Sequence, residues 1–129
     1  MRSSYLPAAL RQQIRERARQ RCEYCLLSEE DAYFSHEHDH IIAEKHRGPT
    51  ILENLAWACF DCNRFKGSDI ASIDPVTDQL VPLFNPRTQR WSDHFMVHGG
   101  TIVALTPVGR ATVQLLRFNL LERIEIRET

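Results

Sequence analysis

Apolar positions along this chain change period several times, and each change marks an element. Residues 8–21 contain neither Gly nor Pro and are rich in Ala, Arg, Gln and Glu, all good helix formers. Leu10, Ile14 and Ala18 recur every four residues there as a narrow buried stripe, with Arg11, Arg15 and Arg19 on an adjacent exposed one. Pro7 suits a first helical turn. The pattern predicts a helix over 8–21 leading directly into Cys22. Residues 33–42, Tyr-Phe-Ser-His-Glu-His-Asp-His-Ile-Ile, hold aromatic and branched side chains with no breaker and predict a strand. Side chains alternate along a strand, so a regular one puts His36, His38 and His40 on a single face. Gly48-Pro49 makes 44–50 a loop. The apolar run Leu-Ala-Trp-Ala over 55–58 predicts a second strand, and 61–66 a short helix ended by Gly67.

The second half reads differently. Residues 74–94, punctuated by Pro75, Pro82 and Pro86, predict an extended, loop-rich wrap anchored by Phe84, Trp91 and Phe95. Gly99-Gly100 opens a strand over 101–105. Thr106-Pro107 is an N-cap followed by a first-turn proline, and the helix after it sets Val108, Ala111, Leu115 and Phe118 on one face. Asn119 closes that helix or caps a last amphipathic one over 120–127. There is no internal repeat.

At 129 residues the chain has the size of one domain, and 43% apolar with 26% charged residues is ordinary for a globular one. A net charge of −1 with that apolar content excludes wholesale disorder. No apolar run approaches the roughly 18 residues that cross a bilayer. Nor does the opening Met-Arg-Ser-Ser-Tyr-Leu-Pro carry the apolar stretch of a signal peptide. The expectation is a cytoplasmic protein without a membrane partner, in which four cysteines point to metal or chemistry rather than disulfides. Charge is unevenly spread: residues 1–21 hold six arginines against Glu16, whereas 28–53 hold seven acids against Lys45 and Arg47. Arginine bias is compatible with phosphate or carboxylate recognition, but solvated helix faces are the more ordinary reading.

Two Cys-x-x-Cys pairs, Cys22/Cys25 and Cys59/Cys62, are separated by 33 residues. In a reducing compartment they predict a closed tetrahedral Cys₄ zinc site whose work is to staple the domain. A thioredoxin-like pair and unligated core thiols are the competing readings. Between the pairs stand Asp39-His40-Ile41-Ile42 and Glu53-Asn54-Leu55, and the second pair runs into Cys62-Asn63-Arg64-Phe65-Lys66-Gly67. The stretches RCEYC, DHIIAEKHRGPT and ENLAWACFDCNRFKGS resemble the HNH endonuclease family, of the ββα-metal fold, and specifically its four-cysteine bacterial branch. LFNPRTQRWSDHF and LTPVGRATVQLLRFN look like that branch's C-terminal extension.

The resemblance implies a small α+β fold forming a single domain over 1–129. Its parts are an N-terminal helix (1–21), a zinc-bearing ββα-metal core (22–68) and a C-terminal strand-helix extension (69–129). It also implies a metal-dependent endonuclease acting on DNA. His40 carries over as general base, Asp39 and Asn63 as ligands of one divalent ion, and Asn54 as the middle residue that ties the loop to the strand and orients His40. Hydrolysing a phosphodiester needs an activated water and a cation on the crowded negative charge, and histidine takes protons near neutral pH. Position 63 is asparagine where the family often has histidine, an H-N-N variant; one carboxylate and one amide oxygen favour Mg²⁺ or Mn²⁺. Arg64, Lys66 and His46 are expected to meet substrate phosphates. Trp57, Phe60 and Trp91 are expected in the core, and His94 and His98 to be structural. The alternatives are a zinc-stapled nucleic-acid-binding module without turnover, and a protein-interaction adaptor.

Overall fold

The structure, a computed structural model, describes residues 6–128; Arg2 of the arginine-rich opening lies outside them. Among the described residues are five α-helices and three two-stranded antiparallel sheets, a mixed α+β domain. The first sheet pairs β1 (Glu37–His40) with β2 (Leu55–Ala58), with His38 opposite Trp57 and His40 opposite Leu55. All four residues of β2 are buried because both its faces are covered. Leu55 and Trp57 pack with Ile14 of helix α1 (Ala8–Arg17), and the small Ala56 and Ala58 join the main core beside the four cysteines. Helix α2 (Phe60–Lys66) follows β2 directly and completes the ββα unit.

Helix α1 ends earlier than its composition predicts. Ala18 caps it, and Arg19 and Gln20 both take left-handed backbone (φ 57°), which swings the chain into the Cys22 loop. No Gly or Pro marks this stop, so propensity runs past it. The arginines of α1 are spent on the fold: Arg15 grips Glu29 with bonds of 2.9–3.0 Å, Arg17 donates to Leu52 O, and Arg11 lies over the Trp57 ring. Of these contacts, the one between Arg15 and Glu29 joins the basic opening to the acidic stretch after it.

The extension holds more strand than its prolines predict. β3 (Ala71–Ile73) pairs with β4 (Leu80–Pro82), and a short α3 (Trp91–His94) precedes β5 (Phe95–His98) and β6 (Thr101–Ala104). Gly99-Gly100 is thus the tight turn of a hairpin, not only the start of a strand. Gly100 is also required by packing, since a Cβ there would lie 2.2 Å from Ile124 O of the last helix. Helix α4 (Pro107–Leu115) opens as its cap predicts, with Thr106 Oγ1 accepting from Gly109 N–H at 3.0 Å. Asn119 caps neither helix end; it pairs both ways with the backbone of Ile102 at 2.8–2.9 Å. Helix α5 (Leu121–Glu128) closes the described chain. The main core runs from the cysteines through Tyr24 to Phe84, Phe95, Ile102, Leu116 and Phe118, joining the extension to the ββα unit. Trp57 is buried and Trp91 packs against this core, but Phe60 stands at the surface, 4.7 Å from the ring of Phe34. No helix among the described residues is long and apolar enough to cross a membrane.

Candidate active site and metal centre

The four cysteines meet although they come from two ends of the ββα unit. Cys22 and Cys25 sit on a turn closed by Cys22 N–H to Leu27 O (2.9 Å), and Cys59 is the N-cap of α2. Their four sulfurs lie within 4.8 Å of one another, and Cys25 and Cys59 are 3.6 Å apart. A tetrahedral ion with sulfur ligands at about 2.3 Å spaces them about 3.8 Å apart, so the set fits zinc. Three backbone N–H groups point at sulfur as a thiolate requires, from Tyr24 and Cys25 to Cys22 and from Cys62 to Cys59, each at 3.4 Å. Burial pushes the thiols of Cys22 and Cys62 well up, so without a cation they hold their protons. With all four sulfurs buried, the centre is closed.

A cleft of about 330 Å³ opens beside α2, lined by Glu37, His38, Asp39, His40, Ala43, Glu44, Asn63, Gly67 and Ser68. Three residues that the sequence singles out, Asp39, His40 and Asn63, share this wall. His40 Nε2 is hydrogen-bonded to Thr50 Oγ1 at 2.9 Å, and its ring stands edge-on to His38 at 5.9 Å. Asp39 is 4% exposed; Tyr24 donates its hydroxyl to Asp39 Oδ2 at 2.7 Å, and Lys66 Nζ lies 3.2–3.4 Å from both carboxylate oxygens. Burial pushes the Asp39 carboxyl up, with the Lys66 ammonium and the Tyr24 hydroxyl opposing it. Burial, and next the His40 charge, lower the His38 imidazole. Among the described residues the Asn63 side chain makes no hydrogen bond or ion pair, so its amide stands ready in the cleft wall.

Asn54, by contrast, is fully used. Its amide oxygen accepts from Ile42 N–H and its nitrogen donates to Ile42 O and Pro49 O, all at 2.9 Å. The chain approaches so closely here that a Cβ on Gly48 would overlap Ile42 O at 1.6 Å, which is why a glycine occupies that bend. The other expected substrate contacts divide. Arg64 is exposed on α2, 4.6 Å over the Phe65 ring, with Arg117 the same distance from that ring. His46 is exposed on the turn Glu44–His46. Lys66 is 2% exposed and gives its ammonium to Asp39 and to the carbonyls of His40 and Ile41 at 3.1 Å. Tyr24, Thr50 and Arg117 lie within the resembling stretches but have no role there by themselves, because each takes part only through a neighbour that the tertiary fold supplies.

Comparison with known proteins adds one finding. Residues 22–69 match the model of the HNH endonuclease family, while no curated protein and no solved structure matches the chain. The matched stretch spans both cysteine pairs and every residue of the cleft wall, and the family suggests a nuclease with a nucleic-acid substrate. Residues 22–69 of this chain are thus similar to the HNH endonuclease family, with the four cysteines gathered as a site fit for zinc.

Proposed function

We propose that the chain, as a single domain, is a metal-dependent endonuclease that hydrolyses DNA phosphodiester bonds in the cleft of Asp39, His40 and Asn63. The observation that carries this reading is their convergence on one wall inside the HNH-matched segment. His40 takes the proton of the attacking water, and Thr50 holds its imidazole in place. Asn54 acts at one remove: it fixes Pro49, the residue before Thr50, and so sets the hydroxyl that orients His40.

Asp39 and Asn63 are the residues that would hold a divalent ion. A carboxylate offers about four lone-pair positions. Tyr24 engages Oδ2 and Lys66 lies against both oxygens, which leaves only part of that capacity for an ion. Bound there, Mg²⁺ or Mn²⁺ supplies charge stabilisation at the crowded phosphate and the leaving oxygen. Lys66 is assigned to holding Asp39 in place, and the phosphate contacts go to Arg64, joined by Arg117 beside the same ring, and to His46.

The test is cleavage of single- and double-stranded DNA with Mg²⁺ or Mn²⁺, with and without EDTA. His40→Ala is expected to lose roughly 10²–10⁴ in rate while keeping DNA affinity, because only proton transfer is removed. Asn63→Ala is expected to lose turnover with it. A parent protein that retains DNA but cuts none in any metal would replace this reading with a binding module. Near-normal cutting by His40→Ala would reassign the base.

A further inference from the structure

Helix α5 begins against the cysteines, although Arg123 stands 61 positions after Cys62. Arg123 is 4% exposed; its Nη2 donates to Cys62 Sγ at 3.1 Å and lies 3.6 Å from Cys59 Sγ. The other arm of the same guanidinium donates to Leu116 O and Arg117 O at 2.5 and 2.9 Å, carbonyls left open at the end of α4. Its Nε stands 3.8 Å from Asp61 of α2. One turn on, Arg127 donates to Gly100 O at 2.7 Å and Phe118 O at 2.5 Å.

The electrostatics give this geometry a purpose. Zinc held by four thiolates carries a net charge of about −2. A buried dianion is costly unless charges of opposite sign lie against it. The backbone N–H groups at the sulfurs bring dipoles only, whereas the Arg123 guanidinium brings a full positive charge.

We propose that α5 is the electrostatic cover of the zinc centre: Arg123, bonded directly to the Cys62 and Cys59 sulfurs, offsets the charge of the tetrathiolate and slows the loss of its metal. A sulfur lone pair engaged by a guanidinium is a poorer target for a proton or an electrophile, and either attack opens the way for metal to leave. Coupling of this kind is reciprocal, so the loaded centre in turn anchors α5 and with it the extension. The proposal rests on the zinc reading of the four cysteines and is independent of the nuclease reading.

The test follows zinc transfer from the loaded protein to an excess of a chromophoric chelator, after metal content is measured by elemental analysis. Arg123→Met is expected to release zinc on the order of 10–100-fold faster than the parent, the effect that partners of metal ligands typically have. Arg123→Lys keeps the charge but loses the fork and is expected to fall between. Glu125→Gln, an exposed charge change on the same helix, should match the parent. If Arg123→Met does not fold, Arg123→Lys carries the comparison. A folded parent without zinc overturns the zinc reading and this proposal together. One zinc per chain with parental release rates in the arginine variants overturns this proposal alone.

Discussion

Lys66 and Asp39 form a buried ion pair, 2% and 4% exposed, that joins α2 to β1 beneath the cleft. From its place after Asn63 in a basic helix, Lys66 reads as a phosphate contact; in the folded chain it is the counter-ion of the carboxylate. The two roles differ in what removal costs. Losing an exposed basic side chain changes stability by about 0.5 kcal/mol or less. Removing one partner of a buried pair strands the other charge and costs about 3–5 kcal/mol. Urea unfolding of Lys66→Met at neutral pH is expected to show a loss in the larger range. A midpoint within error of the parent's would return Lys66 to the surface role.

Elements of the extension are held by side chains that reach out of them. The turn between β3 and β4 is organised by buried Asp74, which accepts from Val76 N–H and the Thr77 hydroxyl at 3.1 and 2.9 Å. Arg110 of α4 closes on the same carboxylate with two bonds of 2.8 Å, clamping the hairpin to the helix. Hydrogen bonding from Arg110 holds the Asp74 carboxyl well below its ordinary range, with Val76 and Thr77 adding to this against burial. A folded-state value below the unfolded one means that the stabilisation is complete above about pH 4, the unfolded value, and is lost as pH falls toward the folded one. Thermal unfolding of parent and Asp74→Asn across pH should show the variant less stable near neutrality. The gap should shrink below about pH 4. A gap that stays constant with pH would mean that the clamp does not depend on the Asp74 charge.

At the scale of the molecule, metal centre and hydrophobic core are continuous. The cysteines share one buried cluster with Ile41 at the end of β1 and with Phe84, Phe95, Ile102, Leu116 and Phe118 of the extension. The staple therefore closes the loop that contains the cleft and also supports the packing of residues far beyond it. Metal ligation of this kind contributes folding free energy directly. Cys59→Ser is expected to lose zinc, the near-UV dichroism of buried Trp57 and core-packed Trp91, and cooperative unfolding, with part of the helical signal left. A zinc-free variant with the parental near-UV spectrum would separate the fold from its metal.

Local rules made several parts legible from residues alone. Leu55–Ala58 reads as a strand because it is a short apolar run, and α2 stops at Gly67, which takes φ 52°. Thr106-Pro107 announces α4, and the two cysteine pairs announce a metal centre. Asp39, His40 and Asn63 could be named from the resemblance to the HNH family, and the fold set all three on one cleft wall. Strand β5 and the β3–β4 pairing stayed hidden, since a three- or four-residue strand is defined by a partner more than by its own composition. Hidden too were the inward turn of Lys66, the hydroxyl of Thr50 on His40 and the arrival of Arg123 at the cysteines. A charged or polar side chain has the same local signal whether it ends in water or beside a buried counter-charge. Which of the two it meets depends on segments far away in sequence, and those are brought together only when the core closes.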